Sequence, residues 1–593
     1  MTTMRERWKT EIVHSLHAMA RDKGLSEVDL SADMLAFETP PRPDLGDLAV
    51  PLFPFAKLFR AAPAAIAVEV AARLGDREIG TCEAAGPYLN IRFARSAVVQ
   101  QVLEAVMHEG DGFGRTDELS AQRIMIEFSC PNTNKPLHLG HLRNDILGES
   151  LSRILAANGA EVRKVNLIND RGVHICKSML AYQRFGNGAT PESEGIKSDH
   201  FVGAYYVRFN QWVKDDPSAE NQAREMLQKW EAGDTEVMAL WQQMNRWAID
   251  GISETYRRTG ISFDEIYYES KTYLSGRDEV LRGLQEGVFY REDDGSVWVD
   301  LEEINLDKKV LLRGDGTSLY LTQDIGTAIA RHGDWPFDRL IYVVASEQRY
   351  HFAVLFHVLQ KLGMEWGKDL FHLAYGMVNL PDGKMKSREG TVVDADELIA
   401  GLERMAAEEI RAKGREEEVG DVNQTAGDVA LGALHYYLLQ VNPIKDMVFD
   451  PRESISFNGN TGPYLQYTGA RISTMLRKLG QGSSGSGSGS DRPESGGTVD
   501  YALLREDLEW ELVKQIATFS DAVRTAGRQY SPSVLTGYLY ELAKTFSRYY
   551  HDHPIAVEKD AAVRSARVAL SRAVVQVLRN GCELIAVPFL HVM

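Results

Sequence analysis

The alternation of apolar and polar positions divides the chain into regions with different expected structure. Up to about residue 120, apolar helical segments such as 61–74 alternate with short extended runs such as 86–93, which predicts a small α+β domain. Over 121–400, apolar strands alternate with helices, which is typical of an α/β domain. From about residue 456, apolar residues recur at helical spacing, which predicts an all-helical domain.

The central region shows the succession of elements expected for a doubly wound sheet. The apolar run at 123–129 predicts a buried strand, a helix follows over 139–159, and a second strand is predicted over 161–170. Two later β-rich segments, 339–346 and 371–380, each adjoin a helical segment. Strand–helix–strand alternation implies parallel strands with right-handed crossovers, so we predict a nucleotide-binding domain of the Rossmann type.

The block over about 183–310 is longer than a crossover connection needs. It is rich in tryptophan and charge and contains a hairpin pattern over 288–300, so we interpret it as an insertion into the sheet domain. The predicted organisation is therefore an N-terminal α+β domain over 1–120, a Rossmann-type domain over 121–400, a helical linker over 401–455 and a helical domain over 456–593.

A tract of glycine and serine interrupts the helical domain. GSSGSGSGS at 482–490 cannot contribute to a packed core, so we predict a surface excursion over 482–497. It separates a helix over 463–479 from a longer helical stretch over 503–592. Both an engineered linker and a natural insertion fit this composition.

The charge of the 593 residues is acidic but unevenly distributed. The net charge is −18, from 66 Lys and Arg against 84 Asp and Glu, which at face value disfavours a nucleic-acid partner. However, residues 121–450 have 37 basic and 52 acidic side chains, whereas residues 451–593 have 16 basic and 14 acidic side chains. Whole-chain charge is therefore a poor guide to what the last region binds.

The last region also contains a basic run. Over 561–582 there is no Asp or Glu, and the basic residues are Arg564, Arg567, Arg572 and Arg579. A helical face of this kind either binds phosphates or is simply solvated. The charge pattern alone leaves both interpretations open.

The cysteine content and the N-terminus exclude several classes of protein. There are four cysteines, widely spaced and without a CxxC pair, namely Cys82, Cys130, Cys176 and Cys582. A disulfide framework and a cysteine-based zinc site are therefore not expected, and a reducing compartment fits. The start has no apolar run after its charges and no later segment resembles a membrane span, so we predict a cytoplasmic protein without a structural metal.

The first candidate for chemistry is the HxGH element His138–His141, which lies between a predicted strand and a helix start. A helix N-terminus offers unpaired N–H groups to phosphate, Gly140 permits close approach, and two imidazoles can donate hydrogen bonds to it. Given 15 His and 50 Gly in the chain, chance would produce this element roughly 0.03 times. Two surface histidines remain an alternative, while a zinc site lacks a third ligand.

The second candidate is the basic loop in the segment LPDGKMKSREGTVV at 380–393. Lys384, Lys386 and Arg388 surround Ser387 among small residues, an arrangement suited to holding a triphosphate. Exposed basic loops are common, so this segment is informative only together with the HxGH element.

The two motifs together resemble the ATP-binding signatures of class I aminoacyl-tRNA synthetases. The wider strings EFSCPNTNKPLHLGHLRN, DGTSLYLTQDIG, YVVASEQRYHF and GNTGPYLQY are similar to those of the arginyl-tRNA synthetase family. The likeness extends from about residue 20 to Met593 and is weakest over 183–310 and in the glycine- and serine-rich tract.

This resemblance implies an enzyme that activates L-arginine with ATP and Mg²⁺ and transfers it to the 3′ end of tRNA(Arg). It further implies that the N-terminal domain contacts the tRNA elbow, that the helical domain holds the anticodon, and that activation requires bound tRNA. We expect a monomer without membrane association.

The resemblance also implies roles for individual residues. The expected arginine-binding residues are Glu127, Asn132, Tyr320, Asp324 and Gln348. The expected ATP-binding residues are His138, Gly140, His141, Met377, Lys384, Ser387 and Arg388. The expected tRNA-binding residues are Tyr88, Asn90, Tyr464, Tyr467, Tyr550, Arg564, Arg567 and Met593. Independently of the family, Tyr320 and Asp324 are four residues apart and would share one face of a helix.

The second signature departs from the usual KMSKS form. Lys384, Met385 and Ser387 are present, but Lys386 stands where the first serine is usual and Ser387 where the second lysine is usual. In several members of the family a lysine before HxGH is thought to compensate, and here Lys135 stands three residues before His138. The expected catalytic residues are therefore Lys135, His138, His141, Lys384 and Lys386, with the division of work among the lysines left open.

Three alternative functions compete with this one. A free-standing nucleotidylyltransferase also uses HxGH but does not require the helical domain. A class I synthetase for another amino acid, such as cysteine, lacks support because zinc-ligand cysteines are missing. A non-catalytic RNA-binding paralogue would not need an intact HxGH element with a basic loop.

Overall fold

The computed structural model describes residues 2–25, 30, 34–38, 40–273, 275–316, 319–381, 393–481 and 499–593. Residues 382–392 of the basic loop lie outside the described residues, and with them the site residues Lys384, Lys386, Ser387 and Arg388. The glycine- and serine-rich tract over 482–497 lies outside them as well. The roles assigned to these segments stay predictions.

The chain forms two compact units, each built from segments that are distant in sequence. The first comprises Met1–Gly114, Thr468–Ala522 and Tyr538–Asn580, and the second comprises Arg115–Tyr467, Val523–Gly537 and Gly581–Met593. The grouping follows compactness alone, and the domain limits expected from the sequence remain predictions.

The N-terminal region is a small antiparallel sheet with helices. Its elements are α1 (Thr2–Asp22), β1 (Leu48–Pro51), α2 (Ala56–Phe59), α3 (Pro63–Leu74), β2 (Gly80–Ala85), β3 (Tyr88–Phe93) and α4 (Arg95–Glu109). β3 lies between β1 and β2 and is antiparallel to both. The helix expected over 61–74 and the strand expected over 86–93 are confirmed as α3 and β3.

The central region contains both strands and helices. Its strands are β4 (Arg123–Glu127), β5 (Glu161–Ile168), β6 (Glu265–Tyr268), β7 (Tyr290–Arg291), β8 (Val297–Val299), β9 (Lys309–Leu312), β10 (Arg339–Ala345), β11 (Leu370–Tyr375), β12 (Val378–Asn379) and β13 (Met447–Val448). Its helices are α5 (Leu139–Ala157), α6 (Val173–Phe185), α7 (Pro191–Glu194), α8 (Ser198–Asp215), α9 (Ala219–Glu231), α10 (Thr235–Thr259), α11 (Glu269–Thr272), α12 (Ser275–Gln285), α13 (Tyr320–Asp334), α14 (Arg349–Lys361), α15 (Ala395–Ala412), α16 (Glu416–Val419), α17 (Val422–Leu439) and α18 (Pro451–Ser454).

The main sheet has five parallel strands in the order β11-β10-β4-β5-β6. The chain starts at the central strand β4, proceeds outward through β5 and β6, and then returns to the other side of β4 with β10 and β11. This order confirms the doubly wound fold predicted from the sequence. The switch point between β4 and β10 opens a crevice at the carboxyl ends of the strands, where such folds bind ligands.

The packing of α5 against the sheet depends on a small residue. A Cβ atom added to Gly148 would lie 2.2 Å from the ring of Phe128, which directly follows β4, so only glycine permits this close approach. α5 ends at Asn158, whose amide donates to the carbonyl of Ile154 at 2.8 Å, and Gly159 follows with φ +96°. The helix expected over 139–159 is confirmed.

The block over 183–310 is not a single insertion, which corrects the interpretation made from the sequence. β6 lies within it and is the edge strand of the main sheet, paired with β5. The extra structure therefore consists of the helices α7–α10 before β6 and the three-stranded sheet β7-β8-β9 after it. β6 lacks the apolar run of a buried strand because it stands at the sheet edge, which explains the error. The hairpin expected over 288–300 is confirmed by the antiparallel pair β7 and β8.

The C-terminal region is helical, as its apolar spacing predicts. Its helices are α19 (Gly462–Gln481), α20 (Asp507–Ala517), α21 (Phe519–Arg528), α22 (Ser533–Asp552) and α23 (Ala561–Leu584). None of the helices in the described residues combines the length and apolar character that a membrane crossing requires.

Candidate active site

The first turn of α5 holds two imidazoles side by side after β4. Nδ1 of His138 accepts the N–H of Gly140 at 3.1 Å, and Nδ1 of His141 accepts the N–H of His138 at 3.1 Å. The ring centroids are 3.8 Å apart. Because both Nδ1 atoms are hydrogen-bond acceptors, each neutral ring has its proton on Nε2. The pair therefore caps the helix with one nitrogen of each ring and retains an N–H donor on the other.

Both imidazoles are neutral near pH 7. Burial, assisted by the positive charge of Lys135, lowers the pKa of His138 to about 4. Burial also holds the pKa of His141 well below its usual value, with further contributions from His138 and Lys135. The two rings therefore act as uncharged hydrogen-bond donors, and positive charge at this site has to come from other groups.

Lys135 supplies such a charge. Its side chain is partly buried, and burial lowers the pKa of its ammonium group. Its charge contributes to the lowered pKa of both His138 and His141, so the three side chains act on the same region. Together with the positive end of the helix dipole, this arrangement favours a phosphate at the start of α5.

Arg143 connects α5 to the segment that leads into the basic loop. Its fully buried guanidinium donates to the carbonyl oxygens of Gly376 at 2.6 Å and Met377 at 3.1 Å. It also donates to the carbonyl oxygens of Pro443 at 3.2 Å and Lys445 at 2.8 Å. Gly376 is required here because an added Cβ would lie 2.3 Å from the backbone of Lys445. Met377, an expected ATP-binding residue, is therefore held near α5.

The segment that follows the basic loop is joined to the HxGH element itself. The N–H of Leu139 donates to the carbonyl of Val393 at 3.1 Å, and the N–H of Ala395 donates to the carbonyl of Leu137 at 3.0 Å. His138 and Asp394 thus face each other in an antiparallel bridge. The described residues on both sides of 382–392 are anchored near the first two turns of α5.

Acidic side chains collect near the start of α13. Asp324 accepts a hydrogen bond from His351 at 2.6 Å and is about one third exposed. Burial raises the pKa of Glu269 to about 7, an effect opposed by Arg171 and reinforced by Asp170 and Asp324. A buried carboxylate of this kind is stabilised when a cation arrives, which suits a guanidinium ligand.

Three other expected arginine-binding residues lie on or next to different elements of the domain. Tyr320 begins α13 and is 73% exposed, and Asp324 lies four residues later on the same helix. Gln348 is exposed immediately before α14. Asn132 is exposed and forms a parallel bridge with Asn169 at the end of β5.

Glu127 already has a partner within the protein. It is the last residue of β4, within the strand predicted over 123–129, it is buried, and its carboxylate forms an ion pair with Arg331 of α13. Burial alone would lower the pKa of Arg331. The charge of Glu127 outweighs this effect, so the pKa of Arg331 is raised. The protein therefore already supplies one guanidinium to Glu127.

One cluster in the described residues has the spacing of metal ligands. The candidate ligand atoms of Asp199, His200 and Asp396 lie within 4.8 Å of one another. However, the ammonium of Lys197 lies 3.0 Å from Asp199 and 2.8 Å from Asp396. Both carboxylates of the cluster are thus already paired with the protein's own cation.

Comparison with known proteins decides the family. A family model described as "tRNA synthetases class I (R), catalytic domain" matches residues 101–451. A DALR anticodon binding domain matches residues 465–593, and an arginyl-tRNA synthetase N-terminal domain matches residues 6–93. The chain belongs to the arginyl-tRNA synthetase family. It is accordingly an ATP-dependent ligase of the class I aminoacyl-tRNA synthetases.

Similar proteins support this assignment along the whole chain. The "Arginine--tRNA ligase" of Treponema denticola is 56% identical over 602 residues, which cover 100% of both chains. That of Bacteroides thetaiotaomicron is 47% identical and covers 91% of this chain and 93% of its own. The solved arginyl-tRNA synthetase of Thermus thermophilus has a TM-score of 0.79 at 26% identity, covering 99% of this chain and 100% of that one.

Several residues expected to contact tRNA have exposed or partly exposed rings. Tyr88 is partly exposed and packs edge-on against Phe53 at 5.7 Å. Tyr467 lies beneath the guanidinium of Arg415 at 6.0 Å, and Tyr464 is partly exposed. Tyr550 stacks with Arg471 at 4.2 Å.

Three other residues expected to contact tRNA are buried, and their contact with tRNA stays a prediction. Arg567 is 9% exposed and forms ion pairs with Glu509 and Glu558 at 2.9 Å each, so it is not on an open phosphate-binding face. Met593 is 6% exposed. Asn90 is 9% exposed in the central strand of its sheet. Spacing on a helix or strand does not reveal which face another part of the chain covers.

Sequence reasoning also missed residues that shape the site. Arg143 lies two residues after the HxGH element, and that position was its only signal in the sequence. Glu269 directly follows β6. Ligands bind at the carboxyl ends of parallel strands, so recognising β6 in the sequence would have identified Glu269 as a candidate. The only sequence feature of Asp394 is its position before a helix, where an acidic residue usually serves as the N-cap.

Proposed function

We propose that the chain activates L-arginine with ATP to arginyl-adenylate and then transfers the arginyl group to the 3′ end of tRNA(Arg). The observation that carries this proposal is the pair of neutral imidazoles capping α5, whose Nε2–H groups are free of the capping role. Donors placed where negative charge develops are among the strongest contributors to catalysis.

In the activation step, the arginine carboxylate attacks the α-phosphorus of ATP and pyrophosphate leaves. Donation from His138 and His141, with the charge of Lys135 and the dipole of α5, stabilises the charge that develops on the phosphate oxygens. No enzyme nucleophile is required. Lys384 and Lys386, with Ser387 and Arg388, are assigned to the departing phosphates.

Arginine is selected through its guanidinium. Asp324 and Glu269 supply carboxylates, and Tyr320, Asn132 and Gln348 supply further polar groups. Glu127 can contribute only by sharing its carboxylate with Arg331, because the two residues already form a buried ion pair. We therefore assign Glu127 mainly to holding the pocket wall.

Mg²⁺ enters this proposal with the substrate rather than with the protein. Oxygen ligands suit Mg²⁺, and nucleotide phosphates commonly provide most of them. In the described residues, the carboxylate cluster with metal-ligand spacing is already paired with Lys197. The ion supplies additional charge neutralisation on the phosphates.

The tRNA is assigned to surfaces outside the catalytic centre. Tyr464, Tyr467 and Tyr550 are proposed to stack on unpaired anticodon-loop bases, each worth about 1–3 kcal/mol. Tyr88 is proposed for the elbow and Arg564 for a phosphate contact. We further propose that the enzyme works as a monomer in the cytoplasm, where its four free cysteines stay reduced.

The decisive experiment is ATP–pyrophosphate exchange with each of the twenty amino acids, with and without tRNA(Arg). We expect exchange with arginine alone, and only when tRNA is present. Exchange with another amino acid would remove the proposed specificity. Arginine-dependent exchange without tRNA would leave the specificity intact and contradict only the requirement for tRNA.

A further inference from the structure

The start of α8 contacts the segment that follows the basic loop. α8 belongs to the extra helices between β5 and β6, and it begins at Ser198, next to Lys197. The segment that it contacts is the start of α15, which begins at Ala395. Neither element carries a residue of the proposed active site. Their contact nevertheless includes Asp394, the residue before α15, which is bridged to His138.

The contact is a compact set of charged groups. Nε2 of His200 lies 3.2 Å from Oδ2 of Asp396 and 3.4 Å from Oδ2 of Asp394. Nζ of Lys197 lies 2.8 Å from Oδ2 of Asp396 and 3.0 Å from Oδ2 of Asp199. The side chains of Asp394 and Asp396 are only 15% and 16% exposed, so water screens these interactions weakly.

The charges on the two elements complement each other. Burial alone would raise the pKa of Asp396, but hydrogen bonds from His200 and Lys197 outweigh it and hold that pKa well below its usual value. In return, the hydrogen bond to Asp396 raises the pKa of His200 despite its partial burial. The protonated imidazole and the ionised carboxylate therefore stabilise one another.

Asp394 links this cluster to the catalytic helix. Its carboxylate caps α15 by accepting the N–H of Glu397 at 3.0 Å, and it also faces His200. Its backbone faces His138 in the antiparallel bridge described above. Asp394 therefore joins His200 to the backbone of His138.

We propose that His200 is a positioning residue for arginine activation, which acts through Asp394 to hold His138 and the end of the basic loop in place. This inference rests on the proposed role of His138. Without His200, two mostly buried carboxylates lose a partner, and the segment shifts toward its remaining cations Lys197 and Arg258. Misplacement of reacting groups by about 1 Å can reduce rates by about 10²-fold.

The test compares His200→Ala and His200→Gln with the wild type in tRNA-dependent ATP–pyrophosphate exchange with arginine. We expect His200→Ala to lower kcat about tenfold while KM for arginine changes less than about twofold, because positioning affects the chemical step. His200→Gln keeps a hydrogen-bond donor and should recover part of the loss. The melting temperature of each variant is measured alongside.

His357→Ala is the matched control. His357 also faces a carboxylate, with Nε2 3.7 Å from Glu303, and its side chain is 15% exposed, but it lies on α14 away from the bridge to His138. It should lose less than about twofold in kcat. Wild-type kcat in His200→Ala, or an equal loss in His357→Ala, would overturn the proposal.

The pH profile gives a readout that a purely structural role would not produce. His200 is faced by Asp394 and Asp396 from the start of α15 and by Lys197 and Asp199 from its own side, and Arg258 contacts Asp396. Because its pKa is raised above 6.5, the charged contact is present at lower pH and is lost as the pH rises through that pKa. The ratio of wild-type kcat to His200→Gln kcat should therefore fall between pH 6 and pH 9, and a constant ratio would contradict the proposal.

A second variant separates this inference from the proposed function. His138→Asn retains a side-chain acceptor for the N-cap but loses the Nε2–H donor, so it should fold normally and lose about 10²- to 10³-fold in kcat. If His138→Asn is impaired and His200→Ala is not, only the positioning role fails. If His138→Asn has wild-type activity, the proposed role of His138 fails, and the positioning role fails with it.

Discussion

His138 and His141 each use one ring nitrogen for structure and leave the other for chemistry. Their Nδ1 atoms close the first turn of α5, which sets the tautomer without any help from a carboxylate. Burial keeps both rings neutral. Within the described part of the site, the cation that acts on both rings is therefore Lys135. At the residue scale, donor geometry and charge are thus supplied by different side chains.

Lys135→Ala should lower arginine-dependent activation at least about tenfold, because it removes a charge that acts on the phosphates beside both imidazoles. The measurement is tRNA-dependent ATP–pyrophosphate exchange at saturating substrates. Lys164→Ala is the control, because Lys164 is a mostly buried lysine as well, but it lies on β5 and is ion-paired with Glu149. A wild-type rate in Lys135→Ala would contradict the proposal that Lys135 compensates for the altered second signature.

The binding of arginine should weaken as the pH falls through about 7, the pKa to which burial raises Glu269. Below that pH the carboxyl group is protonated and cannot pair with a guanidinium; above it the carboxylate is available. We expect KM for arginine to rise on acidification in the wild type. Glu269→Gln should have a raised KM that no longer changes in this pH range, and an unchanged pH dependence in that variant would exclude Glu269 as the group responsible.

At the scale of elements, α5 is the common support of the site. Its first turn pairs with Val393–Ala395, Arg143 in its second turn binds the carbonyls of Gly376 and Met377, and Gly148 permits close packing on Phe128. The residues on both sides of 382–392 are thus attached to one rigid helix, which supports the proposal that the basic loop acts beside the HxGH element.

Arg143→Met should destabilise the protein strongly, because four carbonyl oxygens would lose their donor and the hydrogen bonds to two of them, those of Gly376 and Pro443, are fully buried. Each unsatisfied buried group costs about 1–3 kcal/mol, so we expect a loss of at least about 3 kcal/mol in unfolding free energy. Urea denaturation followed by circular dichroism measures it. Arg282→Ala, which breaks surface ion pairs with Glu279 and Glu286, should change stability by less than about 0.5 kcal/mol. Equal effects of the two substitutions would argue against the junction described here.

At the scale of the whole molecule, the charge distribution explains how an acidic protein binds RNA. Most of the net charge of −18 lies in the central region, where a cationic amino acid is recognised, whereas residues 451–593 have a small excess of base. The structure leaves fewer arginines of this region for phosphate contacts, because Arg567 forms ion pairs within the protein. Few phosphate contacts are therefore expected.

The binding of tRNA should weaken with salt, but with a modest slope. Each phosphate contact contributes about −0.7 to −0.9 to the slope of log K against log salt concentration. Fluorescence anisotropy between low and moderate salt measures this slope. Arg564→Gln should reduce its magnitude by about one contact, whereas Arg567→Gln should leave the slope unchanged and lower the melting temperature. An affinity independent of salt would contradict the electrostatic contribution.

Local sequence patterns predicted much of the fold. The strands β4, β5, β10 and β11, the helix α5 and the C-terminal helices follow from runs and periodicities of apolar residues, because each buries one or both faces. β6 was missed because an edge strand with two exposed residues has no such run. The block around it was therefore interpreted as one insertion rather than two.

The sequence by itself determined the succession of elements, the HxGH element with its helix start, and the resemblance to a family. These depend on short-range periodicity and on adjacent residues, which the order of amino acids specifies directly. Only the tertiary structure decided which partners distant residues have. Arg331 forms an ion pair with Glu127, and Arg143 donates to carbonyls more than 200 residues away in sequence. His200 of α8 contacts Asp394, which precedes α15. The physical reason is that burial and charge pairing arise when strands order and helices pack, and no local pattern specifies those pairings.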